Sequence, residues 1–490
     1  MTSSTAVNHM LLLPVLHSHA RYLAAKPALV DDSGATTYAD LWGQASRVAA
    51  DLRARGARPG DRVALLMQPS SRYVAGALGV MLAGGVAAPV NTRLMPLEID
   101  AYLERLSPVF TWSDGGLARR AAHAAPTTTR DADHAVTTVD PGAPAIAFPT
   151  GGTTGLPKAA VWSHAGLTAA LVSACMNLGT TRSDTELYFS PMYHLTLVTG
   201  LFAVLLAGGT VRICASFSEE TVAAILSRGE VTRFFATPVV IERILAGSPG
   251  SLGRAGLRMV VFGASRSAPD FASRLQAAVP ATRLMTGYGA TEFGAITRVF
   301  PDEILREDVG VGRPVAGVHV EICDPDGAVL APGATGEIVV RSPMQMLGYV
   351  GSDGAEASPL GGDWLRSGDI GELDGNGYLH LHARLSELIK TGGESVYPAE
   401  VERVVVQHRD VFDAVVYGVE DVAWGERVEC AVILAPGATL DEEELRRHCA
   451  EQLGRYKVPK RFRVVNEFPR TSTLKLDRRA LRSAALGAPV

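Results

Sequence analysis

The sequence lacks an excess of basic residues and is poor in cysteine. Its 490 residues include 46 Lys and Arg against 51 Asp and Glu, a formal net charge of -5. Nucleic-acid-binding proteins usually present a basic face, so this balance argues against a nucleic-acid partner. The five cysteines are Cys175, Cys214, Cys323, Cys430 and Cys449. They form no C-x-x-C pair, which argues against a zinc site or disulfides and favours a protein of the reducing cytoplasm.

A long uninterrupted apolar segment is also missing. The apolar patch Met10–Leu16 is short and follows no basic residue, so we expect no secretion signal. The longest apolar stretch, Val74–Val90, contains four glycines. A core helix that leads into a buried strand explains this stretch better than a membrane span.

The length and the alternation of patterns predict an α/β protein of at least two domains. Helical periodicity over Tyr38–Arg55 is followed by a strand pattern over Arg62–Met67, a helix over Ser70–Ala83 and a strand over Val86–Val90. Such alternation is typical of layered helices on a largely parallel sheet. We predict a large N-terminal domain over residues 1–384 and a small α+β domain over 385–490, with a hinge near 385–387.

A glycine-rich loop is the strongest local signal. It does not contain the common phosphate-loop pattern G-x-x-x-x-G-K-[S/T]. After the apolar run that ends at Phe148, the loop offers backbone N–H groups, threonine hydroxyls and one lysine to an anion. Its candidate phosphate-binding residues are Thr150, Gly151, Gly152, Thr153, Thr154, Gly155 and Lys158. We expect this loop to join the strand before it to a helix that begins at Ser163 or His164. The alternative is a flexible surface loop.

Three further candidate groups lie at predicted strand ends, where open α/β sheets usually carry their sites. His194 stands where a strand that ends at Pro191 gives way to an apolar helical pattern. Gly263, Ala264 and Ser265 follow the predicted strand Met259–Phe262. The segment Gly287, Tyr288, Gly289, Ala290, Thr291, Glu292 follows a strand over Leu284–Thr286. Its tyrosine could cover an adenine ring, its threonine could bind phosphate, and Glu292 offers a hard oxygen to magnesium.

The remainder of the chain changes character twice. Asp302–Arg366 is rich in turns and short strands, which indicates a small β-rich subdomain in the form of a barrel or sandwich. Asp369 then follows a Ser-Gly turn and could accept both hydroxyls of a ribose. Beyond Glu387, helices over Ala399–His408 and Glu442–Gln452 alternate with strands, as in a compact α+β module. A basic cluster near Lys460 is either a solvated face or a phosphate contact.

In chain order these motifs, which span residues 148–475, closely resemble those of the adenylate-forming (ANL) superfamily, in its acyl- and aryl-CoA synthetase branch. The glycine loop matches T-[S/G]-G-T-T-G-x-P-K, Tyr288–Glu292 matches Y-G-x-T-E, and Asp369 matches [S/T]-G-D. Arg384 matches the arginine that contacts the ribose, and Lys475 matches the catalytic lysine. Ala383, Ser386 and Leu474 depart from the pattern, where the family has glycine, a charged hinge residue and glycine.

The resemblance implies a ligase that uses ATP, Mg²⁺ and coenzyme A in two half-reactions. A carboxylate first forms an acyl-adenylate and pyrophosphate, with Lys475, His194, Thr291 and Glu292 as catalytic residues and Glu292 as the metal ligand. The small domain then rotates and a thiol takes the acyl group. The resemblance assigns the coenzyme A side to Gly392, Gly393, Trp424, Tyr456 and Lys460. Gly263–Ser265 and Gly287–Gly289 join the nucleotide-binding residues.

Three alternatives remain open at this point. The enzyme could load a carrier-protein thiol, although no carrier domain is visible in the sequence. It could adenylate an amino acid, although Met192–Leu195 lacks the aspartate that such enzymes place there. It could be a non-catalytic scaffold, which is supported by the three departures alone. The segments expected to line the acyl pocket are mainly apolar or small, which predicts a hydrophobic acid as the small-molecule partner. These segments are His194–Thr199, Phe235–Val239, Gly263–Ser267 and Gly287–Ile296.

Overall fold

The computed structural model describes residues 10–119, 139–150, 158–248, 250–254, 256–265, 267–268, 270–350, 362–392, 394–422, 424–470 and 476–486. The chain divides into two compact units. The first comprises Met1–His319, Val340–Ala357 and Asp363–Leu365, and the second comprises Val320–Val339, Ser358–Gly362 and Arg366–Val490. The segment before Arg384 thus shares its unit with the C-terminal residues, and a mobile domain that begins at 385 stays a prediction.

The first sheet of the N-terminal unit has seven strands and is almost wholly parallel. In spatial order its strands are Arg283–Met285, Met259–Phe262, Arg233–Ala236, Thr185–Tyr188, Thr210–Ile213, Pro27–Asp31 and Gly34–Thr37. All neighbours run parallel except the last two strands, which form an antiparallel pair. Parallel order brings the carboxyl ends of the strands to one edge, where the segments after Tyr188, Phe262 and Met285 begin.

The second sheet also has seven strands, with a parallel centre and antiparallel edges. In spatial order its strands are Gly348–Tyr349, Lys158–Ser163, Pro144–Thr150, Val86–Pro89, Arg62–Leu66, Phe110–Ser113 and Gly116–Arg119. The three central pairings are parallel, and the remaining three are antiparallel. Together the two sheets confirm the predicted α/β class.

Helices accompany both sheets of the first unit. They are Leu12–Tyr22, Tyr38–Ala54, Ser71–Leu82, Pro96–Leu106, His164–Leu178, Ala203–Leu206, Glu219–Ser227, Pro238–Gly247, Ser251–Arg254 and Phe271–Ala278, with a π-helix over Leu197–Phe202. The helix Tyr38–Ala54 begins where predicted because the Thr37 hydroxyl accepts a hydrogen bond from the N–H of Asp40, and the Asp40 carboxylate accepts one from the N–H of Thr37. Leu41, Ala45 and Leu52, on one face of this helix, are buried.

The expectation that the glycine loop joins a strand directly to a helix is wrong. The strand Lys158–Ser163 intervenes and pairs antiparallel with Pro144–Thr150, so that the loop is the tip of a hairpin. The helix does begin at His164, capped by the Ser163 hydroxyl, which accepts from the N–H of Gly166. A helix N-terminus therefore does not follow this loop directly, and the anion argument depends on its own N–H groups and hydroxyls.

Short ribbons and a smaller sheet follow. Two-residue strands pair Gly289–Ala290 with Gly294–Ala295, and Thr297–Arg298 with Arg313–Pro314. The next sheet has the order His319–Cys323, Gly336–Arg341, Leu365–Leu373, Leu379–Arg384. The predicted β-rich region is confirmed, but among the described residues it forms an open four-stranded sheet and not a barrel or a sandwich.

The C-terminal residues form the expected α+β module. Its five strands are Glu394–Val396, Ile389–Thr391, Gly425–Leu434, Val411–Asp421 and Arg461–Val464, the last paired with Gly425–Leu434. Its helices are Pro398–Val405, Glu442–Gln452 and Arg478–Ala485, and a 3-10 turn spans Leu385–Glu387. One core cluster joins Val401, Val416 and Leu445. No helix among the described residues, in either unit, is long and apolar enough to cross a lipid bilayer.

Candidate active site

The glycine loop is held at both ends by the second sheet. Thr150 is buried and pairs in register with Lys158. Five of the candidate phosphate-binding residues, Gly151, Gly152, Thr153, Thr154 and Gly155, lie outside the described residues. The structure therefore places the two ends of the loop next to each other and leaves the loop's own role a prediction.

Lys158 is connected to Glu292 through Tyr349. The Nζ atom of Lys158 lies 4.8 Å from the centre of the Tyr349 ring, an arrangement in which the ring face attracts the cation. The Tyr349 hydroxyl donates a hydrogen bond of 2.9 Å to Oε1 of Glu292. Sequence reasoning missed Tyr349, because a tyrosine after a glycine carries no distinctive local signal. The strand Gly348–Tyr349 reaches this position by pairing with Val161 and Ala160 of the hairpin.

The backbone of Thr291 and Glu292 is anchored, which leaves their side chains for a ligand. The Trp162 indole donates to the carbonyl of Thr291 at 2.8 Å, and the N–H of Met346 donates to the carbonyl of Glu292 at 2.8 Å. Within the described part of the chain, Oε2 of Glu292 has no hydrogen-bond partner. A half-buried carboxylate with one available oxygen fits a magnesium ion, which usually takes one or two protein carboxylates together with substrate phosphates.

Gly287 and Gly289 are required by close backbone contacts. A Cβ atom at Gly287 would lie 2.2 Å from the carbonyl oxygen of Thr297, and one at Gly289 would lie 2.2 Å from that of Gly294. The tightest approach at both positions is therefore to the backbone of the neighbouring ribbon. Tyr288 is held between them and is half-buried, with its ring centre 6.0 Å from that of Phe293.

The segment Gly263–Ser265 lies beside this turn. The Cβ position of Gly263 is 3.7 Å from the carbonyl oxygen of Gly287. Ala264 adopts a left-handed backbone with φ of 64°, which is uncommon for a residue with a Cβ and occurs often at functional sites. The Ser265 hydroxyl is buried and has no hydrogen-bond partner among the described residues.

His194 follows the strand Thr185–Tyr188 and precedes the π-helix Leu197–Phe202. The strand ends three residues earlier than Pro191, where its end was predicted. The imidazole is half-buried and lies 4.6 Å, centre to centre, from the ring of Tyr193. Burial raises the pKa of the Tyr193 hydroxyl, which has no hydrogen-bond partner among the described residues. Single π-helical turns are frequent at functional sites, which adds to the interest of this strand end.

In the second unit, Asp369 and Arg384 meet as an ion pair. They are direct partners in the antiparallel pairing of Leu365–Leu373 with Leu379–Arg384, and the Nε of Arg384 lies 3.0 Å from Oδ1 of Asp369. Asp369 is buried, whereas the Arg384 side chain is 44% exposed. The structure thus brings together the two residues that were predicted separately as ribose contacts.

The candidate coenzyme A residues also come together in part. Gly392 has φ of 60°, and its N–H donates to the carbonyl of Trp424 at 2.8 Å. A Cβ at Gly392 would lie 3.0 Å from the Trp424 ring, which itself is 51% exposed. The Nζ of Lys460 lies 5.9 Å from the centre of that ring. Tyr456 is half-buried. Gly393 and Lys475 lie outside the described residues.

These features fit an adenylate-forming enzyme, and the comparisons with known proteins show the family. Residues 16–350 match the family described as AMP-binding enzyme, and residues 400–475 match the AMP-binding enzyme C-terminal domain. The chain belongs to the family of AMP-binding enzymes, and it is an acid–thiol ligase of the AMP-forming type.

Individual relatives cover nearly the whole chain. A feruloyl-CoA synthase from an Amycolatopsis species is 32% identical over 90% of this chain and 92% of its own length. The fatty acid–[acyl-carrier-protein] ligase ScoC of Streptomyces coeruleorubidus is 30% identical over 96% of this chain and 95% of its own length. The structure of o-succinylbenzoate CoA synthetase (MenE) from Bacillus subtilis, in complex with the acyl-adenylate intermediate OSB-AMP, is 29% identical, with a TM-score of 0.80 and coverage of 96% and 97%.

Proposed function

We propose that this chain is an ATP-dependent carboxylate–coenzyme A ligase for a carboxylic acid with an apolar body. The observation that carries the proposal is the series of contacts from Lys158 through Tyr349 to Glu292. It brings a candidate phosphate-binding cation close to a candidate magnesium ligand. Activation of a carboxylate by ATP needs such a pairing, because two anions must approach each other.

In the first half-reaction, a carboxylate oxygen of the acid attacks the α-phosphorus of ATP, and the bond to the bridging oxygen of pyrophosphate breaks. The acid is already ionised at neutral pH, so no general base is required. Lys158 and the loop beside it hold the β- and γ-phosphates, and Lys475 offsets charge at the α-phosphate. Magnesium held by Oε2 of Glu292 would neutralise phosphate charge further. Asp369 and Arg384 bind the ribose.

In the second half-reaction, the thiol of coenzyme A attacks the acyl carbonyl and AMP leaves. The exposed Trp424 ring, the neighbouring Gly392 backbone and Lys460 form one surface that suits this role. The indole can pack against the apolar pantetheine arm, and the ammonium group can contact a phosphate of the nucleotide end. Lys475 and this surface serve successive steps, so we expect the C-terminal module to reorient between them.

A carrier-protein thiol is the second candidate acceptor. The observation that supports this acceptor is the similarity to ScoC, which is named as a fatty acid–[acyl-carrier-protein] ligase. The proposed compartment is the cytoplasm. All five cysteines are free, as expected of thiols in a reducing environment.

The test measures pyrophosphate release with aromatic, fatty, polycyclic and amino acids, each with and without coenzyme A. We expect release with at least one acid class, and a thioester when coenzyme A is present. Glu292→Gln should abolish release, whereas the exposed Glu104→Gln, far from the motifs in sequence, is the matched control. Adenylate formation without any thioester would exclude coenzyme A as acceptor, and transfer to a carrier protein would then identify the alternative. No release with any acid would contradict the ligase.

A further inference from the structure

Arg298 is a partly buried cation beside the predicted acyl pocket. It lies on the strand Thr297–Arg298, directly after the ribbon that contains Thr291 and Glu292. Its Nη1 atom would be 2.9 Å from a Cβ atom at Gly287, so the guanidinium lies against the backbone of the turn that leads to Tyr288. Gly263 is adjacent to the same turn, since its Cβ position is 3.7 Å from the carbonyl oxygen of Gly287.

Arg298 has no carboxylate partner among the described residues, and its Nε is buried without a hydrogen bond. Two other arginines with largely buried side chains are paired. Arg233 lies 2.5 Å from Glu186, and Arg478 lies 2.7 Å from Glu402. Even Arg313, on the strand that pairs with Arg298, binds Glu303 at 2.7 Å. Arg298 is thus exceptional in its surroundings.

The guanidinium nevertheless stays charged. Desolvation lowers the pKa of Arg298 to about 10, which is still well above neutral pH. A desolvated cation is costly unless an anion compensates it. The planar fork of a guanidinium matches a carboxylate, which it can bind through two parallel hydrogen bonds. On the neighbouring segment, the buried Ser265 hydroxyl without a partner is a further donor for the same kind of group.

We propose that Arg298 binds a second carboxylate of the substrate, at the end of the acid remote from the reacting carboxyl group. The preferred substrate is then a dicarboxylic acid whose two acid groups are separated by an apolar body. This inference rests on the proposed ligase function and narrows its substrate class. An anionic group of the nucleotide could use the same chemistry, and the experiment separates the two sources.

The test compares pyrophosphate release for matched acids that differ in the second carboxylate alone, such as octanoate with suberate and phenylpropionate with carboxyphenylpropionate. For the wild type we expect kcat/KM to favour the diacid by about tenfold or more, since an unmatched buried polar group penalises the monoacid. Arg298→Met should reverse the preference, and Arg298→Lys should retain part of it. Arg313→Met, which removes an arginine already paired with Glu303, is the matched control and should keep the wild-type preference.

Each outcome decides one point. If the wild type uses acids but shows no preference for diacids, and Arg298→Met leaves the ratio of kcat/KM between diacid and monoacid unchanged, the inference is overturned while the ligase function stands. If Arg298→Met raises the KM for ATP equally with every acid, Arg298 binds the nucleotide and the inference is also overturned. If no acid releases pyrophosphate, the proposed function itself fails. Thermal unfolding of Arg298→Met and Arg298→Lys establishes that both variants are folded, and calorimetric titration with suberate measures the loss of binding directly.

Discussion

The hydroxyl of Tyr349 donates a 2.9 Å hydrogen bond to Oε1 of Glu292, while the ring of the same tyrosine faces the ammonium group of Lys158. One side chain therefore orients the candidate magnesium ligand and contacts the cation at the base of the phosphate loop. Because the hydrogen bond occupies Oε1, Oε2 is the carboxylate oxygen that would hold a magnesium ion. We expect Tyr349 to act through Glu292, as a positioning residue.

We expect Tyr349→Phe to raise the magnesium concentration needed for half-maximal adenylation and to lower kcat by roughly tenfold, which corresponds to about 1.4 kcal/mol. The ring remains over Lys158, so the KM of ATP should change little. Pyrophosphate release as a function of magnesium measures both quantities. Tyr102→Phe, which removes a buried hydroxyl that has no partner among the described residues, is the control. An unchanged magnesium dependence would show that the hydrogen bond does not position Glu292.

Lys475→Ala should nearly abolish adenylation while sparing thioester formation from a supplied acyl-adenylate. The cation is needed while the α-phosphate is attacked, and the later attack by a thiol has no such requirement. The two half-reactions can be measured separately, by pyrophosphate release and by consumption of a synthetic adenylate. Arg470→Ala, in the same terminal motif, provides a comparison for general effects of lost charge. Equal loss of both half-reactions in folded Lys475→Ala would argue against the assigned role.

The free energy of unfolding should fall as the pH drops from about 6.5 to about 4. Burial lowers the pKa of His164 to about 4, against the partial opposition of Asp140. Below pH 6.5, the ordinary pKa of histidine, the unfolded chain binds a proton at this residue, whereas the folded chain does not until about pH 4. The folded state therefore has its full stability above pH 6.5 and loses part of it as the pH falls. A shift of this size corresponds to at most about 3 kcal/mol.

Urea unfolding at several pH values measures this effect. His164→Asn should flatten the acid side of the profile, because asparagine does not titrate. His319→Asn, at an exposed position, is the matched control. A wild-type slope that persists in the His164 variant would assign the pH dependence to other groups.

Limited proteolysis should cut between Arg384 and Lys390, and the rate should depend on bound ligands. Leu385–Glu387 forms a single 3-10 turn, and Leu385 is 46% exposed. The ion pair of Glu387 with Arg478, at 2.9 Å, ties the turn to the last helix and should slow cutting where it persists. An acyl-adenylate analogue with coenzyme A should alter protection relative to ATP alone. Identical cleavage in every ligand state would count against reorientation of the C-terminal module.

Local patterns predicted the regular elements well. The helix Glu442–Gln452 and the strand Met259–Phe262 have the predicted bounds, because periodicity, the Asp441 cap and apolar runs act within a few residues. The same holds for the motifs that resemble the adenylate-forming enzymes, since they could be recognised in the sequence without knowledge of their contacts. Class, cofactor chemistry and most candidate residues were therefore available from the chain itself.

What the tertiary structure alone decided depends on contacts between distant segments. The pairing of Gly348–Tyr349 with the hairpin strand joins residues almost two hundred positions apart and brings Tyr349 to Glu292. The glycines at 287 and 289 accommodate the backbone of a neighbouring ribbon, and the lack of a carboxylate partner for Arg298 among the described residues is evident only once its surroundings are known. No local pattern encodes such pairings, because burial, register and the absence of a counter-charge are properties of the folded environment and not of neighbours in sequence.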